Sequence, residues 1–230
     1  MLKADGRVIM VSGASRGIGR AVAENLLAAG FRVSAGMRKP DALPSHENLM
    51  SARYDAEDAA SVEAWVVATK EKMGAIDGIV NAAGMSLKVR ITDPGEDDLD
   101  AMWRVNVKGP LRLVRAAFPH LAVSGCGRVV NLGSLAGKRV GTNVGYSMSK
   151  FAVVAMTHGV RREGRDAGIR ATVICTGYVA TDMTAAETGI ERQDMSQPED
   201  VAELVRTVLC LPNNASVSEL WVNCQFDPMF

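Results

Sequence analysis

The chain carries no excess charge: 26 Lys and Arg balance 26 Asp and Glu, a formal net charge of +0 at pH 7. Its basic residues fall in short pieces such as Arg161-Arg162. The electrostatic footprint of a nucleic-acid binder is therefore missing, and small molecules are the expected partners. Cysteine is scarce as well. Cys126, Cys175, Cys210 and Cys224 show no C-x-x-C spacing and lie mostly in apolar runs, which argues against a disulfide framework and for thiols in a reducing compartment. His46, His120 and His158 share no ligand spacing with these cysteines, so no metal site is assigned. Long apolar runs are absent too: nothing approaches the ~18 residues of a membrane span, and "MLKADGRVIMVSG" offers neither a signal-length core nor a small-residue cleavage site. A soluble cytoplasmic protein, without membrane or nucleic-acid partners, is the expectation. No composition shift, repeat or low-complexity linker divides the 230 residues, and one domain over 1–230 is expected.

Short apolar runs alternate with stretches of helical period. "RVIMVSG" reads as a strand. A helix follows at about 17–29, with Ile18, Val22, Leu26 and Leu27 on one face and Gly30 at its end. "FRVSAGM" is a second strand, "SVEAWVVATKEKM" a helix, and "IDGIVNAAG" a strand ending in a turn. "LDAMWRVNVKGPLRLVRAAFPHLA" reads as one long helix, its acidic lead-in at 93–100 being a solvated first turn. "GRVVNLGS" (strand), "YSMSKFAVVAMTHGVRREG" (helix), "IRATVICTG" (strand), "PEDVAELVRTVLCL" (helix) and "SELWVNC" (strand) complete the series. This order predicts an α/β fold: a single doubly wound parallel sheet of Rossmann type with helices on both faces and its ligand at the carboxyl ends of the strands. Scattered methionines such as Met148 and Met156 read as packing.

"VSGASRGIGR" at 11–20 joins the first strand to the first helix. Gly13, Gly17 and Gly19, with Ser15 and Arg16 between them, bring bare N–H groups and a helix N-terminus toward an anion, and a dinucleotide is the natural guest. The spacing is not the commoner G-x-G-x-x-G, and a glycine-rich turn without a ligand is the competing reading. Tyr146 and Lys150, four apart on a helix, share one face, so the ammonium can support the phenolate and let the tyrosine exchange a proton near neutral pH. Ser134 ends a strand whose carboxyl edge meets the same site, where its hydroxyl can bond a substrate oxygen. Asn106 sits inside the long helix, where a short polar side chain is mildly unfavourable. Taken singly, each has an ordinary alternative: a half-buried tyrosine, a solvated lysine, a turn serine, a surface asparagine.

Together with "SGASRGIG", the motifs "NAAG" (81–84), "VNVKG" (105–109), "NLGS" (131–134) and "YSMSK" (146–150) resemble the short-chain dehydrogenase/reductase family over nearly the whole chain. Two departures stand out. The interval from Ser134 to Tyr146 is one residue shorter than the family's usual one, and Thr176-Gly177 stands where the family has Pro-Gly, at the nicotinamide end. The resemblance implies a hydride-transfer site in which Tyr146 moves the proton, Ser134 holds the substrate oxygen, Lys150 also bonds the nicotinamide ribose, and Asn106 helps hold a water linking Lys150 to solvent. It implies cofactor contacts from Ile18 over the pyrophosphate turn, Asp55 toward the adenine, Asn81 and Gly84 along the ribose and phosphate path, and Val179 and Thr181 at the carboxamide. It also implies a substrate loop at about 182–197, and an apolar pocket shaped by Met85, Leu87, Leu135, Asn143, Tyr178 and Met183.

Where enzymes preferring NAD commonly end the second strand with an acidic residue, this chain presents Met37, followed by Arg38 and Lys39. Arg16 and Arg38 are thus expected on the 2′-phosphate of NADP, two solvated loop arginines being the alternative. The expected activity is NADP(H)-dependent oxidoreduction of a small or medium carbonyl compound or secondary alcohol. A 3-oxoacyl thioester reductase of fatty-acid type and a non-catalytic nucleotide-binding regulator are the alternatives. The nearly apolar helix around Phe151, Val153, Val154, Ala155, Met156 and Val160 predicts, with the long helix at about 96–122, a homodimer or homotetramer.

Overall fold

Strands that are apolar on both faces need cover on both sides, which a parallel sheet between helical layers supplies. In a computed structural model, which describes residues 1–224, β1 (Val8–Ser12) is buried at every position. It lies within a seven-stranded sheet whose neighbours are all parallel, with β2 (Arg32–Met37), β3 (Leu49–Arg53), β4 (Gly78–Asn81), β5 (Arg128–Leu132), β6 (Arg170–Thr176) and β7 (Glu219–Val222). The order is β3-β2-β1-β4-β5-β6-β7. The direction of winding therefore reverses between β1 and β4, and the carboxyl ends of these two strands open the crevice where such sheets bind ligands. β3 was not legible as a strand: "LMSAR" is a half-exposed edge piece without clean alternation, and its register (Val33 opposite Leu49) comes from pairing with β2.

Helices α1 (Gly17–Ala28) and α6 (Pro198–Cys210) cover one face, where Val22, Leu26, Val205 and Leu209 are fully buried. On the other, α2 (Ala59–Met73) and α4 (Gly109–Ser124) bury Trp65, Leu113 and Leu121, and α5 (Val144–Glu163) adds Val160. Gly36 explains how Trp65 fits, since a Cβ there would stand 2.5 Å from the indole. The ring nitrogen donates to Ser34 Oγ at 2.8 Å, so the buried indole leaves no donor unpaired.

The long helix is not continuous. α3 (Asp97–Met102) passes into a π-helical turn, Trp103–Lys108, before α4 begins. Pro110 supplies the reason: it lacks the N–H that an unbroken α-helix would give to the Asn106 carbonyl, and its ring would crowd that oxygen. Instead the Gly109 N–H bonds the Arg104 carbonyl, one residue further back. Among the described residues, no helix is long and apolar enough to cross a membrane.

Candidate active site

The turn after β1 is held against its neighbours before any ligand is considered. Gly13 N–H donates to the Gly36 carbonyl at 2.9 Å, tying the turn to the end of β2. Gly13 has φ +70, and a Cβ on it would lie 2.7 Å from the Ala83 nitrogen of the turn after β4. A Cβ on Gly19 would overlap the Gly13 carbonyl. Glycine is thus required for the two turns to approach each other. Ser12 Oγ accepts from the Ala82 and Ala83 N–H groups at 3.2 and 3.3 Å, a brace that motif reading missed.

The N-terminus of α1 is uncapped. Arg16 at the N-cap makes no side-chain cap hydrogen bond, and the first turn holds no acidic residue. By contrast Asp58 caps α2 by accepting from Ala60 and Ser61. Amide donors at the start of α1, with Ser15 and Ile18 partly exposed beside them, have no capping side chain among the described residues, which fits a dinucleotide pyrophosphate. Gly17, at φ +54, faces Thr181, whose Cγ2 would lie 3.3 Å from a Cβ at 17. Val179 is 4% exposed and bridges to Ser196, closing the base of the segment after β6. Thr181 opens that segment by capping a short 3-10 turn, Asp182–Thr184.

Asn106 is 2% exposed because the π turn swings it inward. Its Oδ1 accepts from Met85 N–H at 2.9 Å, while its Nδ2 donates to the Met85 carbonyl at 2.9 Å and to Ser149 Oγ at 3.1 Å. Ser149 in turn donates to the Tyr146 carbonyl at 2.7 Å. Asn106 thereby joins the chain after β4 to α5. Ser149 was missed by motif reading, although it stands inside "YSMSK".

Lys150 is 7% exposed. Its Nζ donates to the Leu132 carbonyl at 2.8 Å and lies 5.6 Å from the centroid of the Tyr146 ring. Gly84 closes the cluster: a Cβ there would be 3.4 Å from Asn106 Oδ1 and 4.0 Å from Lys150 Nζ. Ser134 caps a short 3-10 turn, its Oγ accepting from Ala136 N–H at 3.1 Å. With that lone pair used, the hydroxyl proton remains available to donate.

Asn81 is buried and donates to Asn131 Oδ1 at 2.8 Å, and its own Oδ1 has no partner among the described residues. Asp55 accepts from Glu57 N–H at 3.1 Å beyond β3. Arg38 is exposed just past the end of β2. Arg16 pairs with Asp182 at 3.2 Å, both side chains 71% exposed, a partner that motif reading did not supply.

Two expected pocket residues are differently employed. Leu135, 2% exposed, packs with Val153, Val154, Val173 and Cys175 in a core cluster. Asn143 is the N-cap of α5, accepting from Tyr146 N–H at 3.1 Å and Val89 N–H at 3.3 Å and donating to the Leu87 carbonyl at 2.8 Å. Its amide is consumed in fixing Tyr146 to the loop after β4. Met85, Leu87 and Tyr178 are half-buried, and Met183 is exposed on the segment after Thr181.

The short chain dehydrogenase family model matches residues 7–191. Two agropine synthesis reductases of Rhizobium rhizogenes are 44% and 43% identical over 94% of this chain and 52% of their own lengths, so the chain spans about half of those relatives. An oxidoreductase of Staphylococcus aureus is 32% identical, with 94% of this chain and 96% of the relative aligned. Among solved structures, an alcohol dehydrogenase from Thermococcus sibiricus complexed with 5-hydroxy-NADP has a TM-score of 0.86 at 28% identity, over 96% of this chain and 97% of that one. A 3-ketoacyl-(acyl-carrier-protein) reductase from Brucella melitensis complexed with NADH shares the fold, with a TM-score of 0.87 at 24% identity over 96% and 98%.

Proposed function

The chain belongs to the short-chain dehydrogenase family, and we propose that it is an oxidoreductase that transfers hydride between NADP(H) and a small or medium carbonyl compound or secondary alcohol. One observation carries the reading: a buried lysine with no carboxylate partner among the described residues stands beside the tyrosine ring, at the open crevice below an uncapped helix. A buried ammonium without a counter-ion is costly unless it serves a charge formed during turnover.

When bound, the nicotinamide would supply or accept the hydride at the substrate carbon. In reduction Tyr146 gives its phenolic proton to the substrate oxygen, Lys150 stabilises the resulting phenolate, and Ser134 donates a hydrogen bond to that oxygen. Asn106 holds the turn after β4 and α5 in register, and with Ser149 lines a polar route by which a water can restore the proton. Met85, Leu87, Tyr178 and Met183 give the pocket an apolar wall. The relatives with the highest identity quoted above are reductases by name, which supports the reductive direction.

The preference for NADP rests on Met37, Arg38 and Arg16, and is supported by the NADP analogue bound to the Thermococcus relative. The Arg16–Asp182 pair is exposed, so it is weak enough for a phosphate to displace. Charge-assisted bonds imply about a ten- to hundredfold contribution from each arginine, less where solvent screens them. NADPH is expected to bind more tightly than NADH, and Arg16→Ala or Arg38→Ala to weaken NADPH while barely touching NADH. Titrating both cofactors against the three proteins checks this. Equal affinities in the wild type, or equal losses for both cofactors, contradict it.

The outward side of α5 carries Met148 and Phe151, 46% and 43% exposed, beside Ala155. We propose that this face and α4 meet their copies across a two-fold axis, in a cytoplasmic homodimer or homotetramer. Sedimentation at micromolar concentration should show a multiple of 24.5 kDa. A single species of the chain mass excludes it.

A further inference from the structure

At the edge of the sheet opposite the crevice, a groove of about 660 Å³ opens between the last turn of α5, the start of β6 and the chain leading into β7. It is lined by Arg161, Arg162, Arg165 and Arg170, with His158 and neutral polar residues from 213 to 218, and no carboxylate is among the described residues that line it. Two of the guanidinium groups are fixed. Arg161 Nη1 donates to the Ala171 carbonyl at 2.7 Å, Ser216 Oγ at 2.8 Å and the Val217 carbonyl at 3.2 Å. Arg170 donates from Nε to the Asn213 carbonyl at 3.0 Å, and from Nη1 to the Arg165 and Ile169 carbonyls at 3.0 and 2.9 Å. Arg161 is thus held at Nη1 and Arg170 at Nε and Nη1, and the Nη2 donors of both make no hydrogen bond among the described residues.

Among the described residues none of the four arginines forms an ion pair, although the chain as a whole is neutral. The Glu219 carboxylate is engaged by His158 at 2.8 Å and by Lys138 at 2.6 Å, and it pairs with none of the four arginines. The charges act on one another: burial and the Arg170 charge hold the Arg161 guanidinium below its usual value. Behind them Arg128, 3% exposed and bonded to Asn213 Oδ1 at 2.9 Å, is pushed down to about 10 by burial and by Arg7 and Arg170. Two held guanidinium groups with open Nη2 donors, flanked by the exposed and adaptable Arg162 and Arg165, suit a tetrahedral dianion that several donors can grip at once.

We propose that this groove is a second anion site, separate from the cofactor crevice, that binds a phosphate group, either inorganic phosphate or the phosphate of a small phosphomonoester. Its volume falls in the range of about 300–1,000 Å³ typical of small-molecule pockets, which leaves room for the organic part of an ester.

The test is thermal melting of the full chain saturated with its nicotinamide cofactor, titrated with inorganic phosphate or with glucose 6-phosphate while chloride holds the ionic strength constant. A saturable rise in Tm is expected in the wild type and in Arg16→Ala. In the Arg162→Ser/Arg165→Ser double variant the apparent Kd should rise at least about tenfold, with oxidoreductase turnover unchanged. Tighter binding of glucose 6-phosphate identifies an ester site, and equal binding identifies inorganic phosphate. Absence of a saturable rise, an equal response in the double variant, or loss of the response in Arg16→Ala overturns the proposal. Because Arg16→Ala touches only the cofactor end, these outcomes do not depend on the cofactor preference inferred above.

Discussion

Replacing Tyr146 by Phe should lower turnover by about 10²–10⁴-fold and leave cofactor binding nearly unchanged. Tyr146 is the third residue of α5, and its N–H is anchored to Asn143 Oδ1 at 3.1 Å, so the backbone that aims the ring does not depend on the hydroxyl. Phenylalanine preserves the ring beside Lys150 Nζ and removes the hydroxyl proposed to give the substrate oxygen a proton. Steady-state rates and a cofactor titration on the same preparation separate the two effects. Near-wild-type turnover on a good substrate would show that the proton comes from elsewhere.

Lys150→Ala should lose both turnover and cofactor affinity. The ammonium is buried, and in the proposed mechanism it stabilises the phenolate, so its removal is expected to cost about 10²–10³-fold in rate, as for other groups aimed at developing charge. The family resemblance also implies a bond from Lys150 to the nicotinamide ribose, so cofactor Kd should rise about ten- to hundredfold. The substitution leaves the Leu132 carbonyl without its partner at the end of β5, so some stability is lost as well. Lys150→Met, which fills most of the same space, controls for packing. Both variants should melt cooperatively while failing in catalysis. A folded Lys150→Met with wild-type kcat and cofactor Kd contradicts the role.

The sheet was readable because buried parallel strands appear as apolar runs between helical periods, and α1 starts and stops at Gly17 and Ala28, within a residue of the helix expected at about 17–29. β3 escaped because an edge strand buries little, so "LMSAR" carries no pattern to detect. The break in the long helix did leave a signal. Pro110 stands four residues after Asn106, and the donor it lacks is the one the Asn106 carbonyl would need.

Motifs located Asn106, Ser134, Tyr146 and Lys150 without showing what holds them. Ser149, the Leu132 carbonyl and Ser12 are ordinary residue types whose importance lies in which atoms they meet. Leu135 and Asn143 show the converse: their proximity to motif residues suggested a pocket, whereas core packing and helix capping claim them. The arginine groove was invisible for a third reason. Arg161 and Arg170 come from different elements, and a net charge of +0 conceals a local excess that only the fold assembles.

The central claim is hydride transfer to a carbonyl carbon, with Tyr146 supplying the proton. It is tested most directly by incubating the protein with carbonyl compounds and NADPH carrying deuterium at the transferable position of the nicotinamide. Aldehydes, ketones, oxo acids, sugars and oxoacyl thioesters make up the set. The account predicts that at least one compound is reduced with a single deuterium on its new carbinol carbon, and that Tyr146→Phe abolishes the transfer. Tight cofactor binding with no deuterium delivered to any of them, and no alcohol oxidised in the reverse assay with NADP or NAD, would contradict it and leave a nucleotide-binding protein without turnover.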